Sequence, residues 1–124
     1  MKKTKKRRFD YDLEDRLIAF AANVIFFCKS IPKDYAGNHL KGQLIRSGTS
    51  PALNYAEANA AESNRDFTHK NKVVLKELKE TKVNLKILDK LQYGQNGQRA
   101  KLLDESGQLC AIFTIIINNT DPNG

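Results

Sequence analysis

Phe67-Thr68-His69-Lys70-Asn71-Lys72-Val73-Val74-Leu75-Lys76-Glu77-Leu78-Lys79-Glu80-Thr81-Lys82-Val83-Asn84-Leu85-Lys86-Ile87-Leu88 carries one apolar rhythm without a slip for three heptads. Phe67, Asn71, Val74, Leu78, Thr81, Leu85 and Leu88 recur at alternating spacings of four and three, which puts them on one stripe of an α-helix built to face other helices. Ser63 followed by Asp66 resembles a capping box and fixes the start of this third helix. Gly94, Asn96 and Gly97 end it and make the turn.

Apolar stripes mark three more segments. Leu13, Leu17, Phe20, Val24 and Phe27 predict a first helix over residues 12–29, with Asp12, Glu14 and Asp15 at its positive N-terminal end and Ser30-Ile31-Pro32 as the stop. A second helix is expected over residues 35–62, its core side carrying Leu40, Leu44 and Tyr55. Pro51 sits in its middle, removing one backbone hydrogen bond and pressing on the carbonyl of Ser47. The reading adopted is one kinked helix; a break with Ser50 as N-cap and Pro51 at the first helical position is the alternative. Leu102, Leu109, Phe113 and Ile116, with Leu103, Cys110 and Ile117 alongside, predict a fourth helix over residues 99–119. Each stripe must be covered and the connections are short, so the expected fold is all-α: an antiparallel up-down-up-down four-helix bundle. The expected organisation is a flexible basic tail at residues 1–11, the bundle at 12–119 and a disordered end at 120–124.

A chain of 124 residues with 40% hydrophobic and 28% charged residues fits one globular domain. Its formal charge of +7 makes nucleic acid a plausible class of partner. Lys2, Lys3, Lys5, Lys6, Arg7 and Arg8 supply six of the 21 basic residues, leaving 15 basic against 14 acidic groups in the rest. The basicity is therefore concentrated at the N-terminus, where an arm could touch phosphates or merely aid solubility. In the third helix Lys72, Lys76, Lys79, Lys86 and Lys90 fall in a sector about 80° wide that points away from the seam. A solvated face and a sequence-blind phosphate track both account for it. On the second helix Arg46, Leu53 and Glu57 share the outward side, a strip that suits plain surface or a subunit interface.

Chemistry is hard to assemble from the remainder. His39 and His69 lie on different helices, neither has a Glu three residues before it, and no Cys/His cluster surrounds either. Gly94-Gln95-Asn96-Gly97 follows no strand and so is not a phosphate loop. No catalytic residue, metal or cofactor is expected, and the chain reads as a non-enzyme. Cys28 and Cys110 sit in apolar stretches and read as reduced structural thiols of a cytoplasmic protein. Acidic residues at 10, 12, 14 and 15 separate the basic start from the apolar run that follows, and that run is interrupted by Asn23, so neither a secretory signal nor a membrane span is expected.

The ordered series Gln43-Leu44-Ile45-Arg46-Ser47-Gly48-Thr49-Ser50-Pro51, Asn54-Tyr55-Ala56-Glu57-Ala58, Glu62-Ser63, Asp66-Phe67 and Lys76-Glu77-Leu78-Lys79-Glu80-Thr81 resembles the bacterial four-helix-bundle proteins encoded in intervening sequences of 23S ribosomal RNA genes, the S23 ribosomal protein family. The likeness spans about residues 13–91, and the fourth helix matches only in character. It implies a closed homopentamer of bundles without enzymatic activity and a role in binding RNA or DNA. A related branch, the accessory proteins of diversity-generating retroelements, partners a reverse transcriptase. The motif points to Arg46, Ser47, Asn54 and Glu57 as structural or interface positions. A scaffold that binds another protein, with no nucleic-acid contact, remains the alternative.

Overall fold

The computed structural model describes residues 8–121, with side chains described from residue 12 onward. Four helices follow one another: α1 (Arg8–Cys28), α2 (Tyr35–Asn59), α3 (Asn64–Leu91) and α4 (Asn96–Thr120), with no strand among the described residues. α1 packs on α2 and α4, α3 packs on the same two, and the backbones of the diagonal pairs stay apart. The chain is a four-helix bundle, as the four stripes require.

The N-terminal ends of α2 and α3 are set by the side chains local chemistry favours. Asp34 caps α2 by accepting from the Gly37 amide at 2.7 Å, and Ser63 caps α3 by accepting from the Asp66 amide at 3.1 Å. α1 begins four residues earlier than expected, at Arg8, so the cationic residue at that position belongs to a helix. Residues 1–7, and with them Lys2, Lys3, Lys5, Lys6 and Arg7, lie outside the described residues. α2 ends at Asn59, short of residue 62, because Ala60 and Ala61 already make tight backbone bonds to Glu57 and Ala58. α3 closes one step before the glycines: Gln92 takes the left-handed conformation, and Gly94 follows at φ +85°, where a Cβ would lie 2.4 Å from the Phe27 ring. α4 starts at Asn96, capped by Gln95, three residues ahead of expectation.

α2 runs unbroken through Pro51. A proline inside a helix costs roughly 3 kcal/mol, and here the burial of Leu44, Ser47, Gly48, Pro51, Tyr55 and Ala58 along one face offsets it. At Gly48 α1 and α2 approach closely: a Cβ there would meet Val24 at 2.9 Å.

The core follows the seams. Leu13, Leu17, Phe20, Val24 and Phe27 of α1 and Val74, Leu78, Leu85 and Leu88 of α3 are all buried, and Tyr55 meets Phe113 edge-on at 5.5 Å between ring centres. Two expected seam positions shift. Phe67 is only half-buried, with Thr68 buried instead, and Ile117 takes the inner place expected of Ile116. In α4 the register runs Leu102, Ser106, Leu109, Phe113 and Ile117, steps of four and three that end one residue later than the reading through Ile116. Asn71 is fully buried with neither amide atom bonded, a polar group that costs the fold on the order of 1–3 kcal/mol.

Candidate nucleic-acid and subunit surfaces

Both ends of the bundle are tied by polar side chains, and these ties fix how the helices present their outer faces. At one end the Tyr93 hydroxyl donates to Asp34 at 2.8 Å and the Gln95 amide donates to Ser30 Oγ at 2.8 Å. The bond from the Gly37 amide first, then that from Tyr93, hold the Asp34 carboxyl below its ordinary range. Arg99, only 2% exposed, binds Asp89 at 2.9 Å and the carbonyls of Tyr93 and Gly94 at 2.8 and 2.9 Å, clamping the α3–α4 turn. At the other end Asn64 and Thr68 donate to the Thr120 carbonyl at 2.7 and 3.0 Å. The helices alternate in direction around the bundle, so the diagonal pair α1 and α3 run parallel.

The second-helix residues singled out in the sequence join α2 to α3 or brace α2 itself. Arg46 is exposed and reaches Glu77 at 3.0 Å and also Glu80; Glu80 first and Glu77 second favour its protonated form. Ser47 is buried and accepts from Thr81 Oγ1 at 3.0 Å. Asn54 donates to Ser50 Oγ at 2.8 Å, and Glu57 accepts from Lys70 at 2.7 Å. Leu53, 67% exposed, is the member of the outward strip for which no polar tie is possible.

Lys72, Lys76, Lys79, Lys86 and Lys90 are all exposed on the outer face of α3. Lys72 pairs with Asp121 at 2.9 Å. The other four have no ion pair among the described residues, and Lys72, Lys76 and Lys79 border an open groove of about 860 Å³ with Leu75, Val83 and Ile117. Arg8 falls within α1, and its side chain is outside the described ones. The two histidines are exposed on separate helices. No helix among the described residues is long and apolar enough to cross a membrane.

Two features escape a reading of the sequence alone. Arg99 reads there only as the start of a helix, although a cation ten residues after Asp89 across a Gly-bearing turn is a usable clue. The second is the outer face of α1, where Ile18, Ile25 and Phe26 are 52%, 38% and 55% exposed beside Ala19 and Ala22. Its signal is present in the sequence: from Leu17 to Cys28 α1 is apolar at every position but Asn23, more than one seam can bury.

Fold and surface together define a small helical bundle whose polar ties are structural and whose outer faces carry lysines and apolar side chains. The chain belongs to the 23S rRNA-intervening sequence protein family, whose model matches residues 10–114 and so extends into most of α4, beyond the likeness legible in the motifs. It is similar to a protein of unknown function from the S23 ribosomal protein family of Bacteroides thetaiotaomicron VPI-5482, whose crystal structure superposes with a TM-score of 0.77 at 29% identity, covering 84% of this chain and 96% of that one. No curated protein matches the chain.

Proposed function

We propose that this chain is a non-enzymatic cytoplasmic homo-oligomer, a ring of five, that holds RNA or DNA by its phosphates and serves as an accessory to a ribosomal RNA insertion or to a reverse transcriptase. The observation that carries the reading is the outer face of α3, where Lys76, Lys79, Lys86 and Lys90 stand exposed without a carboxylate partner among the described residues. Lysines so placed act as point charges that bind backbone and read no base. Membership in a family named for intervening sequences of 23S rRNA supports a nucleic-acid setting. The six cations within residues 2–8 add to the same charge.

Filter binding of the full chain to single-stranded RNA and DNA over a salt series tests this. Affinity should fall steeply with salt, and removal of residues 1–7 should lower it and flatten the slope by roughly 0.7 for each phosphate of the strand that those residues neutralise. Salt-independent binding, or binding indifferent to those residues and to Lys86→Gln with Lys90→Gln, contradicts the reading. A pull-down that survives nuclease, with no mobility shift on RNA or DNA, selects a protein scaffold instead.

A further inference from the structure

We propose that the subunits meet head to tail, the outer face of α1 in one copy lying parallel to the outer face of α3 in the next. This rests on the oligomeric reading above and names the surfaces that would build it. On α1, Ile18, Ala22, Ile25 and Phe26 form an exposed apolar strip, with Asp12 and Asp15 exposed at its N-terminal end. On α3, Val83, Ile87 and Leu91 are 55%, 41% and 47% exposed at spacings of four, preceded on the same face by Lys76 and Lys79. Spacing of four makes the α3 strip a ridge of the kind that packs against a neighbouring helix.

Three arguments make a second copy the occupant. First, α1 and α3 are diagonal in the bundle, so the two unlike strips face opposite ways. Pairing either strip with itself buries one and leaves the other wet, whereas joining α1 to α3 buries both in every copy, and the contact closes into a ring when each copy is turned by an equal share of a full rotation. Second, the charges are complementary, acidic before the α1 strip and basic before the α3 strip. Third, the registers agree. At about 1.5 Å per residue, the Asp12/Asp15 pair lies roughly 18 Å from Ile25/Phe26, and Lys76/Lys79 lies roughly 17 Å from Ile87/Leu91. A parallel alignment therefore matches charge to charge and apolar to apolar at once. An antiparallel one sets carboxylates on Ile87 and Leu91. The outer strip of α2 is a poorer seat, because Arg46 and Glu57 are already committed to α3 within the same chain.

The lysines then divide. Lys76 and Lys79 are neutralised by the neighbour's carboxylates, leaving Lys86, Lys90 and the N-terminal cations for phosphate. Oxidising the full-length double variant Ile25→Cys with Ile87→Cys should give a ladder of covalent multimers on a non-reducing gel, and neither single variant should. The two positions sit on opposite sides of one bundle, so no bridge can form within a chain. In sedimentation, Lys76→Glu with Lys79→Glu should lower the mass to that of the 14.0 kDa chain, and adding Asp12→Lys with Asp15→Lys should restore it. An oligomer that persists through the charge reversal, or disulfide dimers from Ile25→Cys alone, overturns this interface while leaving the oligomer standing. A monomeric unmodified chain overturns both.

Discussion

The seam between α2 and α3 and the seam between α1 and α4 join helices of similar length by different means. Across α2–α3 a buried hydroxyl pair, Ser47 with Thr81, lies beneath two sets of surface ion pairs, Arg46 with Glu77 and Glu80, and Glu57 with Lys70. Across α1–α4 the polar tie is Arg16, which reaches Glu105 at 2.7 Å and Gln108 at 2.8 Å, and beside it a cleft of about 520 Å³ opens down to Phe20 and Leu102. The first seam is bridged by polar groups both in the core and at the rim. The second is closed only in the core, next to the apolar outer face of α1. One seam is thus held by polar pairs as well as by the core, and the other leaves the exposed apolar side chains of α1 beside it.

The two seams should differ most when core leucines on the two sides are truncated. Leu78→Ala, beneath the tied seam, should cost toward the upper part of about 2–5 kcal/mol, and Leu102→Ala, in the floor of the open cleft, toward the lower part. Urea denaturation of both variants reads the difference, and equal costs would erase the distinction between seams. Next comes Thr81→Val, which removes the hydroxyl linking α3 to Ser47 and should cost about 1 kcal/mol, with faster amide exchange in α2 and α3 than in the unmodified chain.

A further effect concerns pH. Burial pushes the Cys28 thiol up from 9.0 to about 11, with Lys41 acting in the opposite direction. The folded chain then keeps this proton where the unfolded chain has released it, so its contribution to stability falls as pH rises from about 9 to 11. Stability curves of Cys28→Ala should be flatter than those of the unmodified chain in that window. Smallest of all, Arg16→Gln should cost under about 1 kcal/mol, because its ion pair is partly open to solvent. A loss of several kcal/mol would mean that the α1–α4 seam depends on that residue after all.

The fold is legible because seams are local. The α3 rhythm from Val74 to Leu88 and the α1 rhythm from Leu13 to Phe27 come from spacing alone, and every leucine on those two stripes is buried. Ser63 as a cap is legible for the same reason, its partner being three residues away. What periodicity does not supply is partners set by tertiary packing. Arg46 finds carboxylates 31 and 34 residues on, and Ser47 finds Thr81 at a separation of 34. Pro51 invites a break, and only the burial of the surrounding α2 face explains why the helix continues. Angles alone place the lysines of α3 outside, but the apolar ridge running among them, Val83 and Ile87, is indistinguishable by spacing from ordinary surface filling. Surplus apolar residues beyond one seam are the sequence signal of a second surface.

Sedimentation of the full chain with a labelled single-stranded RNA separates a phosphate-holding ring from a lone bundle. At low salt the RNA should travel with a species near five times the 14.0 kDa chain mass, and raising the salt should release the RNA while the protein keeps that mass. A 14.0 kDa particle that leaves the RNA behind at every salt concentration would contradict the account.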